Sequence, residues 1–339
     1  MSEKIEVLIT IPLIEELVEE LQQVSERYSF NIHPAHQGQE VPIELWEKTA
    51  VLYTLYALPE AEQAPNLKWV QFYLAGVDRV IDAPIFQQED LLATTMSGAN
   101  TSQTAEHVLT MLLALGHTLP DFLSHQSRNE WMSNKSSRYR PRELRESTIG
   151  IVGYGSIGRQ IARLLQEFGA EVLATKREGM HPEDSGYTSD SLGDPQGDFF
   201  TRLYPPEALM SMFKECDFVV VTVPLTPETK DMISVEQLTA LKPSAYLIDV
   251  SRGGVVDHEA LIEALIENRL AGAALDVFPE EPLPADNPLW TMSNVILTPH
   301  VAGFSENYNQ RANALFAENL SRYLEEEPLL NQVNINRGY

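Results

Sequence analysis

Cysteine is almost missing from this 339-residue chain: Cys216 is the only one. That excludes an internal disulfide, leaves no thiolate-rich metal site, and fits a reducing compartment. Cations are scarce as well, with 24 Lys and Arg against 49 Asp and Glu and a formal net charge of −25. Nucleic acids and anionic membranes call for a broad cationic footprint, so neither is expected as the main partner. Long apolar runs are lacking: the most apolar stretch, "HVLTMLLALGHTL" at 107–119, is too short for a bilayer and carries two histidines. The opening "MSEKIEVLIT" has no basic start followed by an apolar core, so a cytoplasmic location is expected. Repeats and low-complexity tracts are absent too. What remains is an ordinary composition, 43% hydrophobic and 22% charged, with length enough for two domains that each bury a core.

Strand and helix signals alternate along the chain. "IEVLIT" (5–10), "AVLYTLY" (50–56) and "LKWVQFY" (67–73) read as buried strands, and "IEELVEELQQVSERY" (14–28) has helical spacing with an acidic outer face. A long helix is expected within 97–123, after the turn residues around Asn100. A second alternating series begins at 147–175 and continues through strands at 216–225, 244–251, 271–278 and 294–303. Near-continuous apolar strands separated by helices indicate parallel sheets covered on both faces. The last helix, at 305–326, follows that series and is expected to return to the first domain, with the second inserted into it. The expected architecture is therefore α/β with two Rossmann-like domains and a cleft between them. A flavodoxin-like substrate domain takes 1–100 and 304–339, and a dinucleotide-binding domain takes 101–303.

"GYGSIG" places Gly153, Gly155 and Gly158 in a G-x-G-x-x-G pattern between a strand, "TIGIV", and an amphipathic helix. In that context the first glycine permits a tight turn, the second lets a pyrophosphate approach the backbone, and the third lets helix and strand pack closely. The helix start at Ser156 and Ile157 would present N–H groups and partial positive charge to phosphates. An NAD site carries an acidic residue about 20 residues further on, for the adenosine ribose. Here the strand "AEVLAT" ends at Thr175, and Lys176, 18 residues beyond Gly158, is followed by Arg177. A carboxylate would repel a 2′-phosphate; two cations would attract one, and Thr175 could add a hydroxyl donor. The alternative is a pair of solvated surface charges. Position favours NADP(H), with NAD(H) as the competing cofactor.

Three later strands end in chemically useful residues. Arg252 follows "IDVS", Glu281 lies in the proline-bounded loop after "ALDVF", and His300 follows "ILTP". Ligands of open α/β sheets bind beyond carboxyl strand ends, so all three point to one place. Arginine suits a carboxylate and an adjacent carbonyl, and histidine can give a proton to a forming alkoxide. A carboxylate beside the imidazole favours its charged form and orients it. Neither the scattered histidines nor the single cysteine has metal-ligand spacing, so no metal is expected. Ser156 is no hydrolase nucleophile, because its backbone is needed in the glycine turn.

With "LAGVD", "NTSQTAEH", "GIVGYGSIGR", "VPLTPET", "SRGGVVD", "ALDVFPEEPLP" and "TPHVAG" in this order, the chain resembles the D-isomer-specific 2-hydroxyacid dehydrogenase family over most of its length. The resemblance implies an oxidoreductase exchanging hydride between the cofactor and a small 2-keto or 2-hydroxy acid, of the glyoxylate/hydroxypyruvate reductase kind. It implies catalytic roles for Arg252, Glu281 and His300. Glu281 is chosen over Glu280 because the family's glutamate directly precedes Pro-Leu, here Pro282-Leu283. It further implies that the substrate is held by Ala75, Gly76, Asn100 and Arg252. Thr104, Val223, Pro224, Thr229, Val250, Ser251, Asp276 and Gly303 would join the glycine turn and the cations in binding the cofactor, with Asp276 near the nicotinamide. Asp276 could instead satisfy backbone N–H groups at its strand end. A homodimer is the family's usual assembly. Some relatives are cofactor-sensing interaction proteins, which is the second functional reading.

Several positions depart from the family pattern. Lys176 replaces the acidic residue of NAD-using members, Thr222 stands where many carry His, and Glu146 stands where Gly often occurs. The largest departure is the Gly-, Pro-, Ser- and Asp-rich stretch at 178–207, longer than the usual strand–helix connection. It is either a plain surface insertion or a flap at the adenosine end of the cofactor.

Overall fold

The apolar runs form strands in a computed structural model that describes residues 4–338 apart from 89, 132–139, 179, 180, 185, 190 and 191. The chain divides into two compact units, one of residues up to Asn100 together with those from Ser305 onward, the other Thr101–Phe304. The dividing point falls one residue beyond the expected 303.

The first unit holds β1 (Ile5–Ile9), β2 (Tyr28–Ile32), β3 (Val51–Thr54), β4 (Trp69–Phe72) and β5 (Leu92–Thr94). They form one parallel sheet in the order β2-β1-β3-β4-β5, the flavodoxin-like order. Leu8, Leu52, Val70, Phe72 and Trp46 make the core of one face. The C-terminal helix, Tyr308–Glu325, belongs to this unit: the Phe316 ring lies 4.3 Å from the Tyr53 ring, and Asn313 donates to Leu17 O and Glu20.

The second unit holds β6 (Thr148–Val152), β7 (Glu171–Thr175), β8 (Arg202–Tyr204), β9 (Phe218–Val221), β10 (Tyr246–Asp249), β11 (Gly272–Leu275) and β12 (Val295–Leu297). All pair in parallel, in the order β12-β11-β10-β9-β6-β7-β8. Side chains alternate along each strand, so the two faces have separate cores. Ile149, Ile151, Val172, Ala174, Val220 and Ile248 pack in one cluster, Val152, Leu173, Val219, Val221, Leu247 and Leu275 in the other. Each fully buried Val, Leu or Ile stabilises by about 1.5–3 kcal/mol, which is why these strands carry few polar residues. The strand order reverses between β6 and β9, and that switch point is where such sheets bind ligands.

The long helix expected within 97–123 is shorter and broken. It runs Thr101–Gly116, and a second helix, Leu119–Ser127, starts after Thr118 at φ 50°. A left-handed residue cannot continue an α-helix, and Pro120 in the first turn of the second helix suits a new start. The last helix is trimmed from 305–326 to Tyr308–Glu325, with Glu326 left-handed at φ 56°.

Candidate active site

The glycine turn joins β6 to the helix Ser156–Glu167. Gly153 has φ +105°, a conformation L side chains rarely adopt. A Cβ on Gly158 would lie 2.3 Å from Gly153 O, so helix and turn can touch only without one. Gly155 differs: a Cβ there would meet nothing within 4 Å. Its backbone faces open space just before a helix whose first-turn N–H groups have no intrahelical acceptor. That is a cradle a dinucleotide's phosphates fit. Thr222, after β9, donates to Gly153 O at 2.8 Å and so braces the turn. Val223 packs against Gly153, and Thr229 closes its own loop by donating to Pro224 O at 2.6 Å.

Both residues at the tip of β7 have partners within this unit. Thr175 is buried and its hydroxyl oxygen accepts the Gly153 N–H at 3.2 Å, so it supports the turn from within. The Lys176 ammonium donates to His181 O at 2.7 Å and Glu183 O at 2.8 Å, which uses two of its three donors. Burial, and next the charge of Arg159, pull the Lys176 pKa below its ordinary value. Arg177 is exposed.

Among the described residues of 181–199, several are tied to the glycine turn and the helix after it. Gly193 N–H donates to Gln160 Oε1 at 2.7 Å, and the Tyr154 hydroxyl donates to Asp194 Oδ2 at 2.6 Å. Asp194 also accepts the N–H groups of Gly197, Asp198 and Phe199. Despite the burial that opposes it, the hydroxyl and N–H donors hold the Asp194 carboxyl below the usual carboxylate range. Arg159 is fully buried and donates to Asp194 O and Pro182 O, each at 2.5 Å.

Past β10, Ser251 is buried and gives both its N–H (3.0 Å) and hydroxyl (2.5 Å) to Asp249 Oδ1. Asp249 is fully buried, and burial pushes its carboxyl up to about 7 against the two Ser251 bonds, with the Asp276 charge adding to the rise. Val250 is buried beside it. Arg252 follows, with one guanidinium nitrogen on Ser251 O at 2.8 Å.

His300 and Glu281 meet. His300 Nδ1 lies 2.9 Å from Glu281 Oε2 and 3.0 Å from Oε1. Glu281 is itself steadied by the Phe278 N–H at 3.1 Å, and the His300 side chain keeps 39% of its surface exposed. With Nδ1 on the carboxylate, Nε2 is the ring nitrogen left for exchange with a ligand. His300 adopts φ 55°, a left-handed conformation that costs on the order of 1 kcal/mol. Asp276 holds the turn: its carboxylate accepts from Thr298 Oγ1 (2.6 Å), Val301 N (2.9 Å) and Ala302 N (2.9 Å). Of the two roles open to Asp276, the structure displays the backbone-satisfying one.

His107 carries no sequence signal beyond packing on its helix. Its Nε2 lies 3.3 Å from Thr298 Oγ1, and burial pulls its pKa down. Thr104 is buried on the same helix, and Gly303 O accepts from Gln103 at 2.8 Å. Arg159, Tyr154 and Asp194 have no sequence signal either, apart from their place in or after the glycine motif. Ala75 and Gly76 lie in the first unit, in the bend after β4, beside Leu74 O, which accepts the Met96 N–H at 3.1 Å. Tyr308 donates to Tyr73 O at 2.5 Å, bracing that bend from the C-terminal helix. Asn100 stands at the last position of the first unit's N-terminal part. Among the described residues, no three His, Cys, Asp or Glu side chains are grouped to hold a metal, and no helix is long and apolar enough to cross a membrane.

Known proteins resemble this chain in sequence and fold. Residues 109–302 match the family model "D-isomer specific 2-hydroxyacid dehydrogenase, NAD binding domain". A D-3-phosphoglycerate dehydrogenase of Methanocaldococcus jannaschii is 30% identical over 98% of this chain, which spans 60% of that protein's length. A glyoxylate reductase of Pyrococcus furiosus is 36% identical over 76% of this chain and 73% of its own. The solved D-isomer specific 2-hydroxyacid dehydrogenase of Xanthobacter autotrophicus Py2, in complex with NADPH and MES, has 31% identity and a TM-score of 0.81, with both chains fully covered. With a family model matching residues 109–302 and a relative 36% identical to it over 76% of its length, this chain belongs to the D-isomer specific 2-hydroxyacid dehydrogenase family.

Proposed function

We propose that the protein is a reductase of small 2-keto acids to D-2-hydroxy acids that uses NADP(H). The observation that carries this reading is the His300–Glu281 pair, with Nδ1 held by both carboxylate oxygens and Arg252 leaving the neighbouring carboxyl strand end. When bound, the dinucleotide supplies the hydride. Gly153, Gly155, Ser156, Ile157 and Gly158 would hold its phosphates through backbone N–H groups. His300 gives a proton from Nε2 to the substrate oxygen as negative charge develops there, while Glu281 fixes the tautomer and stabilises the imidazolium. Arg252 pairs with the substrate carboxylate and draws charge from the adjacent carbonyl. Asp276 acts on the reaction by holding the turn that carries His300. Ala75, Gly76 and Asn100 keep the substrate-holding role that the resemblance gives them, and Thr104, Val223, Pro224, Thr229, Val250, Ser251 and Gly303 their place around the cofactor.

Preference for NADP(H) over NAD(H) is supported by Lys176 and Arg177 at the tip of β7, where a carboxylate would repel a 2′-phosphate. The NADPH bound in the solved Xanthobacter relative points the same way. The test is a panel of glyoxylate, hydroxypyruvate, a branched 2-keto acid and a phosphorylated 2-keto acid, each with NADPH and with NADH, followed by loss of reduced-cofactor absorbance. Turnover of at least one acid, faster with NADPH, is expected. Tight NADPH binding with no turnover of any acid would contradict the enzyme and favour a cofactor sensor. A homodimer, the family's usual assembly, should appear by sedimentation at about twice the 38.1 kDa chain mass.

A further inference from the structure

Three consecutive carbonyls in the long connection after β7 are divided between two cations. His181 O and Glu183 O accept from Lys176 at 2.7 and 2.8 Å, and Pro182 O, between them, accepts from Arg159 at 2.5 Å. Arg159 comes from the first turn of the helix that follows the glycine motif and exposes none of its surface. A buried guanidinium is costly without partners. Here two partners are neutral carbonyls, Pro182 O and Asp194 O, with the Asp184 carboxylate 3.4 Å away and the Tyr154 ring 4.7 Å from the guanidinium carbon. Asp194 in turn accepts the Tyr154 hydroxyl, so the connection is tied to the residue between Gly153 and Gly155 as well.

The consequence is electrostatic. Burial, and next the charge of Arg159, lower the Lys176 pKa, and the carbonyl oxygens orient the ammonium without cancelling its charge. Asp184, which also lies 3.4 Å from Arg159, acts with Glu178 and Glu183 in the opposite sense on Lys176. A phosphate dianion next to Lys176 would relieve that repulsion; a ribose hydroxyl would not.

We propose that Arg159 is a positioning residue for cofactor discrimination: by gripping Pro182 and Asp194 it fixes the His181-Pro182-Glu183 carbonyls around the Lys176 ammonium, and so presets the end of β7 for the 2′-phosphate of NADP(H). This rests on the cofactor preference proposed above. Arg159 touches no part of the cofactor in this role; its influence passes through Lys176. Residues 181–183 are accordingly one wall of the cofactor site.

Dissociation constants for NADPH and NADH, from quenching of protein fluorescence, test this without turnover. Arg159→Met should weaken NADPH binding on the order of tenfold and leave NADH within about twofold, with Arg159→Lys restoring part of the loss. Equal weakening of both cofactors would overturn the proposal, since a merely structural arginine acts on both alike. Should Arg159→Met fail to fold, Tyr154→Phe removes only the bond to Asp194 and should still raise the NADPH constant a few-fold more than the NADH constant; no difference overturns it. Lys176→Asp separates the two claims. If it leaves the NADPH/NADH ratio unchanged, the cofactor preference itself is wrong. If it inverts the ratio while Arg159→Met does not move it, only the positioning role fails.

Discussion

Replacing Asp249 by Asn isolates the cost of a carboxylate at the end of β10. Asp249 is fully buried; its Oδ1 accepts the Ser251 N–H and hydroxyl, and burial pushes its pKa from an ordinary 3.8 up to about 7. The folded state therefore holds this proton more tightly than the unfolded chain does. Between about pH 4 and pH 7 the unfolded carboxyl has ionised and the folded one has not, so rising pH favours unfolding. The loss begins near 3.8, accumulates through 7 and is complete above it. At about 1.4 kcal/mol per pH unit, the whole interval corresponds to on the order of 4 kcal/mol. Asn keeps an oxygen for both Ser251 bonds and cannot ionise, so the loop leading to Arg252 should stay in place. Urea unfolding of both proteins at pH 5.5, 6.5, 7.5 and 8.5, followed by circular dichroism, measures the difference. Relative to the wild type, Asp249→Asn should gain about 2 kcal/mol of stability between pH 5.5 and 7.5 and little more beyond. A difference independent of pH would refute the reasoning, because the buried carboxyl would then titrate as it does in the unfolded chain.

Other substitutions separate support from contact. Asp276→Asn replaces one acceptor oxygen with a donor amid Thr298, Val301 and Ala302, so it should cost about 1–3 kcal/mol of stability and lower kcat more than it changes NADPH affinity. Gly158→Ala drives a Cβ to 2.3 Å from Gly153 O and should lower the thermal midpoint by several degrees. Gly155→Ala meets no protein atom within 4 Å, so its thermal midpoint should stay within about a degree of wild type while NADPH binding weakens at least tenfold. Equal behaviour of the two alanine variants in both assays would contradict the distinct roles given to these glycines.

Much of the architecture is legible because it depends on local patterns. Near-continuous apolar strands separated by helices lead to two parallel sheets, and G-x-G-x-x-G between strand and helix marks the switch point of the second. Glu146 sits at φ 63°, a left-handed conformation that suits the Gly the family resemblance leads one to expect there. The break at Thr118 is not legible, since the apolar spacing of 107–119 runs straight through it and only the backbone reveals the turn. Nor is the fate of polar side chains. Thr175 and Lys176 are neighbours at one strand tip, yet one is buried on Gly153 N–H and the other bonds carbonyls up to seven residues away. Those partners come from a connection whose Gly- and Pro-rich composition predicts turns and nothing about what they touch. Arg159 reads in sequence as an ordinary helix cation; only the folded connection buries it.

The most direct measurement compares kcat/KM for an accepted 2-keto acid between the wild type and His300→Ala, with NADPH affinity determined in parallel. The His300 imidazole, held at Nδ1 by Glu281, is the proposed proton donor, so its removal should lower kcat/KM by about 10²–10⁴ and leave the NADPH dissociation constant within about threefold. Undiminished turnover in His300→Ala, with cofactor binding intact, would contradict the assignment.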